Sequence, residues 1–318
     1  MNWRKPVLLL VDELIRHDDA YRRSRQLERF YRQPHTAQLR AQQDALRDLL
    51  HHAVTHVPYY ASLLKQHGVL GGSGQADVHR LRAMPPLTKD VIHAQGDNLH
   101  SDDLQQRKWY RNASGGSTGQ PVRLLQEADY HQWAIGTRLM HQRRIGMDLG
   151  ETYMQLWGSD RDIMTGSVGW RAKLSNFLRN RTFMNCFKMS QDDMQRYAER
   201  ILAKRPAILQ GYVDCLYELG RYIIAQGIRM QWVGAVITSA GTLFPHMRET
   251  IAHAYNAPVF NHYGSREMGG IAFETNDHSG LMVNLFTHYV EVVNAAGQPC
   301  AAGEEGDVLV TSLRNYAM

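Results

Sequence analysis

The sequence predicts an α/β protein in which a helical N-terminal region precedes a core of β-sheets flanked by helices. Two observations carry this. Up to about residue 110 the apolar residues recur at helical spacing. From residue 190 onward, helical stretches alternate with short β-branched runs bounded by Pro and Gly, the pattern of an α/β domain. The expected division is a helical region over 1–110 and an α/β core over 111–318.

The elements follow in order. In Thr36–Val57 the residues Leu39, Leu46, Leu49, Leu50, Ala53, Val54 and Val57 form one helix face, stopped by Pro58. Gly71–Gly74 reads as a loop, and Pro85-Pro86 opens another irregular connection. Val122–Leu125 reads as a strand. Ser190 with Asp193 is a capping-box start for a helix carrying Met194, Tyr197, Ala198, Ile201 and Leu202, closed near Pro206. A second helix carries Leu216, Leu219, Tyr222 and Ile223. Val233–Ser239 is a buried strand, Pro245 suits the first turn of a helix, and a strand begins in Pro258–Asn261. Tyr289–Val293 and Val308–Thr311 are later strands joined through Gly297 and Gly303.

Composition narrows the function. The chain has 318 residues, 43% hydrophobic and 21% charged, which is ample for a core. No apolar run approaches 18 residues, so no membrane span is expected. The run Val7–Val11 is too short for the apolar region of a signal peptide. Three scattered cysteines, Cys186, Cys215 and Cys300, argue against a disulfide framework or a Cys-rich zinc site. A cytoplasmic protein with reduced thiols is expected. The net charge is +5, but the basic residues form no run, so no nucleic-acid partner is expected. His52 and His56 are four apart on the first long helix. Without a Glu after the first His they read as a solvated face rather than a metal pair.

The segment Ser114-Gly115-Gly116-Ser117-Thr118-Gly119-Gln120-Pro121 is the most informative. Three glycines let backbone N–H groups crowd around an anion, and the hydroxyls of Ser114, Ser117 and Thr118 can donate to phosphate oxygens. A Walker-type loop would need a Lys at its end, and none is present. Gly115–Gly119 also satisfies G-x-S-x-G, which would make Ser117 a hydrolase nucleophile. That elbow needs a strand before it and a helix after it, and Pro121 breaks a following helix. A plain flexible turn is the third reading.

The octapeptide resembles the phosphate-binding loop of the acyl-adenylate-forming superfamily, and in particular the branch of phenylacetate–CoA ligase and the capsule-biosynthesis adenylate-forming proteins. Further segments carry the resemblance in order: Leu50–Tyr60 with Leu87-Thr88-Lys89-Asp90, then Pro206–Gly220 with Gln210-Gly211-Tyr212. Thr238-Ser239-Ala240-Gly241-Thr242-Leu243 and Asn261-His262-Tyr263-Gly264-Ser265-Arg266-Glu267 complete it. Together they cover roughly residues 36–318.

The resemblance implies the N-terminal domain fold of an adenylate-forming enzyme. Its activity would be ATP-dependent conversion of a carboxylic acid to an acyl-adenylate, then transfer to coenzyme A or another acyl acceptor. It implies ATP, Mg²⁺ and coenzyme A as cofactor and co-substrates, with a homodimer left open. By position, Ser114, Gly115, Gly116, Ser117, Thr118 and Gly119 would cradle phosphate. Tyr263 would pack on adenine, Asn261 would lie at its edge, and Gly264 and Ser265 would approach the α-phosphate. Thr118 and Glu267 are the catalytic candidates, Glu267 as the Mg²⁺ ligand. A hard cation with one carboxylate and phosphate oxygens is chemically sensible. Arg266 is either a phosphate contact or an ion-pair partner, and Tyr212 and Gly241 are acid-pocket candidates. The family continues past the segment equivalent to Leu313–Met318 into an Arg-Tyr-x-x-Gly-Asp motif, a hinge and a small domain bearing a lysine. The last lysine here is Lys204. The expectation is a chain truncated before the hinge, its C-terminal subdomain absent. The alternative is a catalytically degenerate relative that binds nucleotide or a partner in polysaccharide biosynthesis.

Overall fold

In a computed structural model, residues 2–12, 19–69, 78–114, 121–158 and 170–318 are described. The described helices are α1 (Arg4–Val11), α2 (Ala20–Phe30), α3 (His35–His56), α4 (Pro58–Gln66), α5 (Lys89–Gln95), α6 (Ala128–Arg144), α7 (Trp170–Leu178), α8 (Gln191–Lys204), α9 (Val213–Ala225) and α10 (Pro245–Tyr255). The strands are β1 (Trp109–Ala113), β2 (Arg123–Glu127), β3 (Tyr153–Trp157), β4 (Arg181–Asn185), β5 (Ile208–Tyr212), β6 (Ala235–Ser239), β7 (Val259–Ser265), β8 (Gly269–Glu274), β9 (Leu281–Val283), β10 (His288–Val293) and β11 (Asp307–Ser312). This is the α/β architecture the sequence predicts. Two compact units are present, each gathered from separate stretches. The first comprises Met1–Tyr21, Thr137–Gly264 and Ala272–Met282; the second comprises Arg22–Gly136, Ser265–Ile271 and Val283–Met318.

The first unit is built on a sheet of order β4-β3-β5-β6-β7-β8-β9, with β4, β3, β5, β6 and β7 mutually parallel. Parallel strands need helical crossovers and are covered on both faces, so their sequences are continuous apolar runs. The alternation is visible residue by residue. Met154, Leu209, Val236 and Val259 point to one core with α8, α9 and α10. Tyr153, Ile208, Ala235, Ile237 and Phe260 point to the other. This explains why Val233–Ser239 shows no polar alternation.

α8 begins with the expected capping box: Ser190 Oγ accepts from the Asp193 N–H, and the Asp193 carboxylate accepts from the Ser190 N–H. It ends at Lys204, where Arg205 takes a left-handed conformation ahead of Pro206. Pro245 occupies the first turn of α10.

In the second unit, α3 packs Ala45, Leu46, Leu50 and Ala53 against Leu64, Val69 and Leu313. The buried face differs from the expected one in two respects. Leu39 is exposed, while Gln38 and Gln42 are buried. They are tolerated because each is bonded: Gln38 Nε2 donates to the Gln33 carbonyl and Gln42 Nε2 to the His288 carbonyl. Pro58 both ends α3 and opens α4, since Val57 before it is held extended. β1 and β2 form an antiparallel hairpin, as do β10 and β11. The last residues lie along the unit: Asn315 bridges β2 through the Leu125 carbonyl and the Glu127 N–H, and the Tyr316 N–H donates to Glu127.

Candidate functional site

Within the first unit, the carboxyl ends of the parallel strands lie level. Trp157 is in register with Asn185, Tyr212 with Ser239, and Thr238 with Asn261. β7 runs on past this edge to Ser265. In open parallel sheets the ligand crevice lies outside the carboxyl edge. Strand alternation puts Asn261, Tyr263 and Ser265 on one side of β7 and His262 and Gly264 on the other. Tyr263 is exposed, so its ring is available to a planar partner. Asn261 is fixed from two directions: its N–H donates to Glu274 Oε2 at 2.7 Å, and its Oδ1 accepts from Thr238 Oγ1 at 3.4 Å.

Glu274 is buried and also meets Arg248 at 2.9 Å and His278 Nδ1 at 3.0 Å. Burial alone would push its pKa up; the hydrogen bonds from Arg248, Asn261 and His278 outweigh it and hold the carboxyl below its ordinary value. Behind it, the rings of His141 and His262 stack on Phe273. Burial lowers both imidazoles to about 4, so both are neutral near pH 7. Tyr212 packs its ring on Trp157 at 4.7 Å, and Gly241 follows Ala240, which has φ +58°.

Within the second unit lie the glycine-rich loop's neck and the Glu267 turn. Gly115, Gly116, Ser117, Thr118 and Gly119 lie outside the described residues. Ser114 and Val122 close the loop's ends: the Ser114 N–H donates to the Val122 carbonyl, and Ser114 Oγ accepts from the Val122 N–H at 3.1 Å. The Ser114 oxygen is therefore spent on the hairpin, while its hydroxyl proton is left to donate. β1 supplies the strand that a nucleophile elbow would need, but the chain returns as β2, an antiparallel strand instead of a helix.

The turn after Ser265 is anchored at every residue. The Met268 N–H donates to Ser265 Oγ at 3.1 Å. The Arg266 carbonyl accepts from Gln126 Nε2 and from Asn112 Nδ2. The Glu267 carbonyl accepts from Gln126 Nε2 at 2.9 Å and from the Tyr130 hydroxyl at 3.2 Å. The Met268 carbonyl lies 2.7 Å from His288 Nε2. Gly269 follows at φ +65°, where a Cβ would come within 3.2 Å of the Tyr130 hydroxyl.

Asn112 and Gln126 are bonded to each other across the β1–β2 hairpin. The hairpin that carries the glycine-rich loop thus also holds the Glu267 backbone. Among the described residues, no hydrogen bond or ion pair engages the Glu267 carboxylate. A half-buried carboxylate on a fixed turn, with its oxygens unspent, is a donor set that fits a hard divalent cation. Gln126 and Tyr130 were not singled out from sequence, and neither Asn112 nor His288 was expected to hold this turn. They lie roughly 20 to 155 residues from the turn in the chain, and no local pattern could have flagged them.

His52 and His56 are not a solvated face. His52 Nε2 lies 3.0 Å from the Tyr316 carbonyl, and His56 Nδ1 lies 2.7 Å from Asp102. The metal-ligand spacing includes Asp103, but both Asp103 oxygens receive the Arg107 guanidinium at 2.7 Å. A cation beside a bound guanidinium is disfavoured, and the cluster is an ion-pair network.

Protein CapK of Staphylococcus aureus is 25% identical over 239 residues, covering 73% of this chain and 51% of that protein. Crystal structures of 2-hydroxyisobutyryl-CoA ligase superpose across the chain. The thioesterification-state complex with 2-HIB-AMP and CoA gives a TM-score of 0.70 at 17% identity, covering 90% of this chain and 62% of the ligase. The open conformation gives 0.68 at 15% identity, with coverages of 89% and 66%. No family model matches the chain. The fold is that of the acyl-adenylate-forming ligases, as the motifs imply. The chain spans about half the length of the curated relative it matches. No described helix is long and apolar enough to cross a membrane.

Proposed function

We propose that the protein acts in ATP-dependent activation of a carboxylic acid, in the manner of a phenylacetate–CoA ligase. A substrate carboxylate oxygen attacks the α-phosphorus of ATP, the bond to pyrophosphate breaks, and an acyl-adenylate forms. The thiol sulfur of coenzyme A then attacks the acyl carbon and AMP leaves. The reading assigns the β- and γ-phosphates to the backbone of Gly115, Gly116 and Gly119 with the hydroxyls of Ser114, Ser117 and Thr118. Tyr263 stacks on adenine, with Asn261 at the base edge and Gly264 and Ser265 beside the α-phosphate. Tyr212, packed on Trp157, and Gly241 border the acid. Glu267 holds Mg²⁺, which when bound neutralises charge developing on the phosphates.

The observation that carries the reading is the unspent Glu267 carboxylate on a turn clamped to the hairpin of the glycine-rich loop. A polar surface turn has no need of four side chains fixing three successive carbonyls. The test is acid-dependent pyrophosphate release by the full-length protein over a panel of aryl and aliphatic acids. Release that requires an acid, Mg²⁺ and Glu267 supports the reading. ATP binding without release would point to the degenerate relative, and labelling of Ser117 by a fluorophosphonate to a hydrolase.

A further inference from the structure

The first unit carries an apolar surface that the chemistry above does not use. α1 and α7 pack together, with the Arg4 guanidinium 5.5 Å from the Phe177 ring and 4.8 Å from that of Trp3. Each helix turns large apolar side chains outward at the same spacing. On α7, Trp170, Leu174 and Phe177 stand at i, i+4 and i+7, and Trp170 and Phe177 are 70% and 59% exposed. Beside α1, Trp3, Val7 and Leu10 repeat that spacing, and Trp3 and Leu10 are 51% and 59% exposed. Residues at i, i+4 and i+7 share one helix face. A packed helix normally turns such a face inward. Two adjacent helices doing the opposite mark a binding surface.

The charge on this surface identifies the partner. Neither helix contains Asp or Glu. Among the described residues beside them, Asp12 is paired with Arg179 at 2.7 Å and Asp148 with Lys5 at 2.5 Å. Lys173 is exposed on α7. Arg4 lies among the aromatic rings with its Nε buried and unpartnered. Tryptophan, phenylalanine and leucine framed by cations, on two helices that carry no carboxylate, complement an anionic lipid surface. A second copy of the chain is a poorer occupant. A two-fold interface sets a patch against itself, so Arg4 and Lys173 of one copy would meet a surface carrying the same cations and no carboxylate on either helix.

We propose that the α1–α7 face docks the protein peripherally on an anionic bilayer. Trp3, Leu10, Trp170, Leu174 and Phe177 enter the interfacial region, and Arg4 and Lys173 meet lipid phosphates. Attachment through such an interfacial face is reversible. It is weakened by salt, because exposed charges are screened.

The test is co-sedimentation of the chain with vesicles of phosphatidylglycerol and phosphatidylcholine in equal amounts, and with pure phosphatidylcholine. The expected result is binding to the mixed vesicles at low salt and little to the neutral ones. The W170S/L174S/F177S variant loses binding. Lys173→Glu lowers the partition coefficient by about thirtyfold, roughly fivefold for each unit of charge changed. Lys173→Glu is one exposed substitution, so it keeps the test decisive if the triple variant does not fold. Trp232→Asn is the control: Trp232 is exposed elsewhere in the unit at φ +70°, which Asn accepts, and binding is expected to be unchanged. Failure to bind mixed vesicles overturns the proposal, as does binding indifferent to both α7 variants. A mass that doubles with concentration and reverts in the triple variant, without vesicle binding, overturns it in favour of self-association.

Discussion

Glu267 draws its meaning from its neighbours. A carboxylate on a loose turn orders poorly around a cation, whereas here Gln126 and Tyr130 hold its own carbonyl and Gln126 and Asn112 hold that of Arg266. Two substitutions separate the proposed ligand from its support. Glu267→Ala removes the oxygens themselves and is expected to cost roughly a hundredfold or more in pyrophosphate release, as for loss of one preorganised electrostatic contact. Gln126→Leu leaves Glu267 in place but strips its backbone of a donor. One lost hydrogen bond of about 1 kcal/mol would weaken apparent Mg²⁺ affinity by about fivefold. The KM for the acid should not move. A Mg²⁺ titration of initial rates checks both, and equal Mg²⁺ dependence in wild type and Gln126→Leu would remove Gln126 from the positioning role.

At the level of elements, what was legible from sequence was local. α8 was readable because cap, periodicity and terminator lie within 17 residues. Ser190→Ala should therefore cost about 1 kcal/mol, seen as a lower urea midpoint with unchanged slope. β1 was not readable, because Trp109–Ala113 is half-buried and held by pairing with β2. The burial of Gln38 and Gln42 was hidden for a related reason: their solvent is replaced by carbonyls, one of them 246 residues away. In the same way, Asn261, Tyr263 and Glu267 could be picked out by residue type and order, but the clamp around Glu267 is assembled from β1, β2, α6 and β10. Gly269 joins the two kinds of information. Its positive φ and the Tyr130 hydroxyl at its back make Gly269→Ala destabilising by about 1 kcal/mol or more, through strain at the turn as well as crowding. An unfolding curve indistinguishable from wild type would show that the turn yields.

For the molecule as a whole, buried histidines govern the response to acid. Burial lowers His141, His262 and His288 each to about 4 from an ordinary value near 6.5. His141 Nε2 lies 3.0 Å from the Glu274 carbonyl and His288 Nε2 2.7 Å from that of Met268, so each neutral ring fits as a donor through Nε2. Between pH 6.5 and 4 the unfolded chain binds these protons and the folded chain does not. Stability therefore rises with pH across that window and falls on acidification. The slope is about 1.4 kcal/mol per pH unit for each histidine, or about 4 kcal/mol per unit for the three. Below this window the carboxyls held under their ordinary values, Glu274 and Asp103, act in the same sense, because protonating them breaks their bonds to Arg248 and Arg107. Urea midpoints should be level from pH 8 to 7 and decline steeply from 6.5. His288→Gln preserves a donor toward the Met268 carbonyl but cannot titrate. It should leave the midpoint at pH 7.5 little changed and flatten the decline by about a third. A decline from pH 6.5 as steep in His288→Gln as in wild type would remove His288 from the acid response and leave it to His141 and His262.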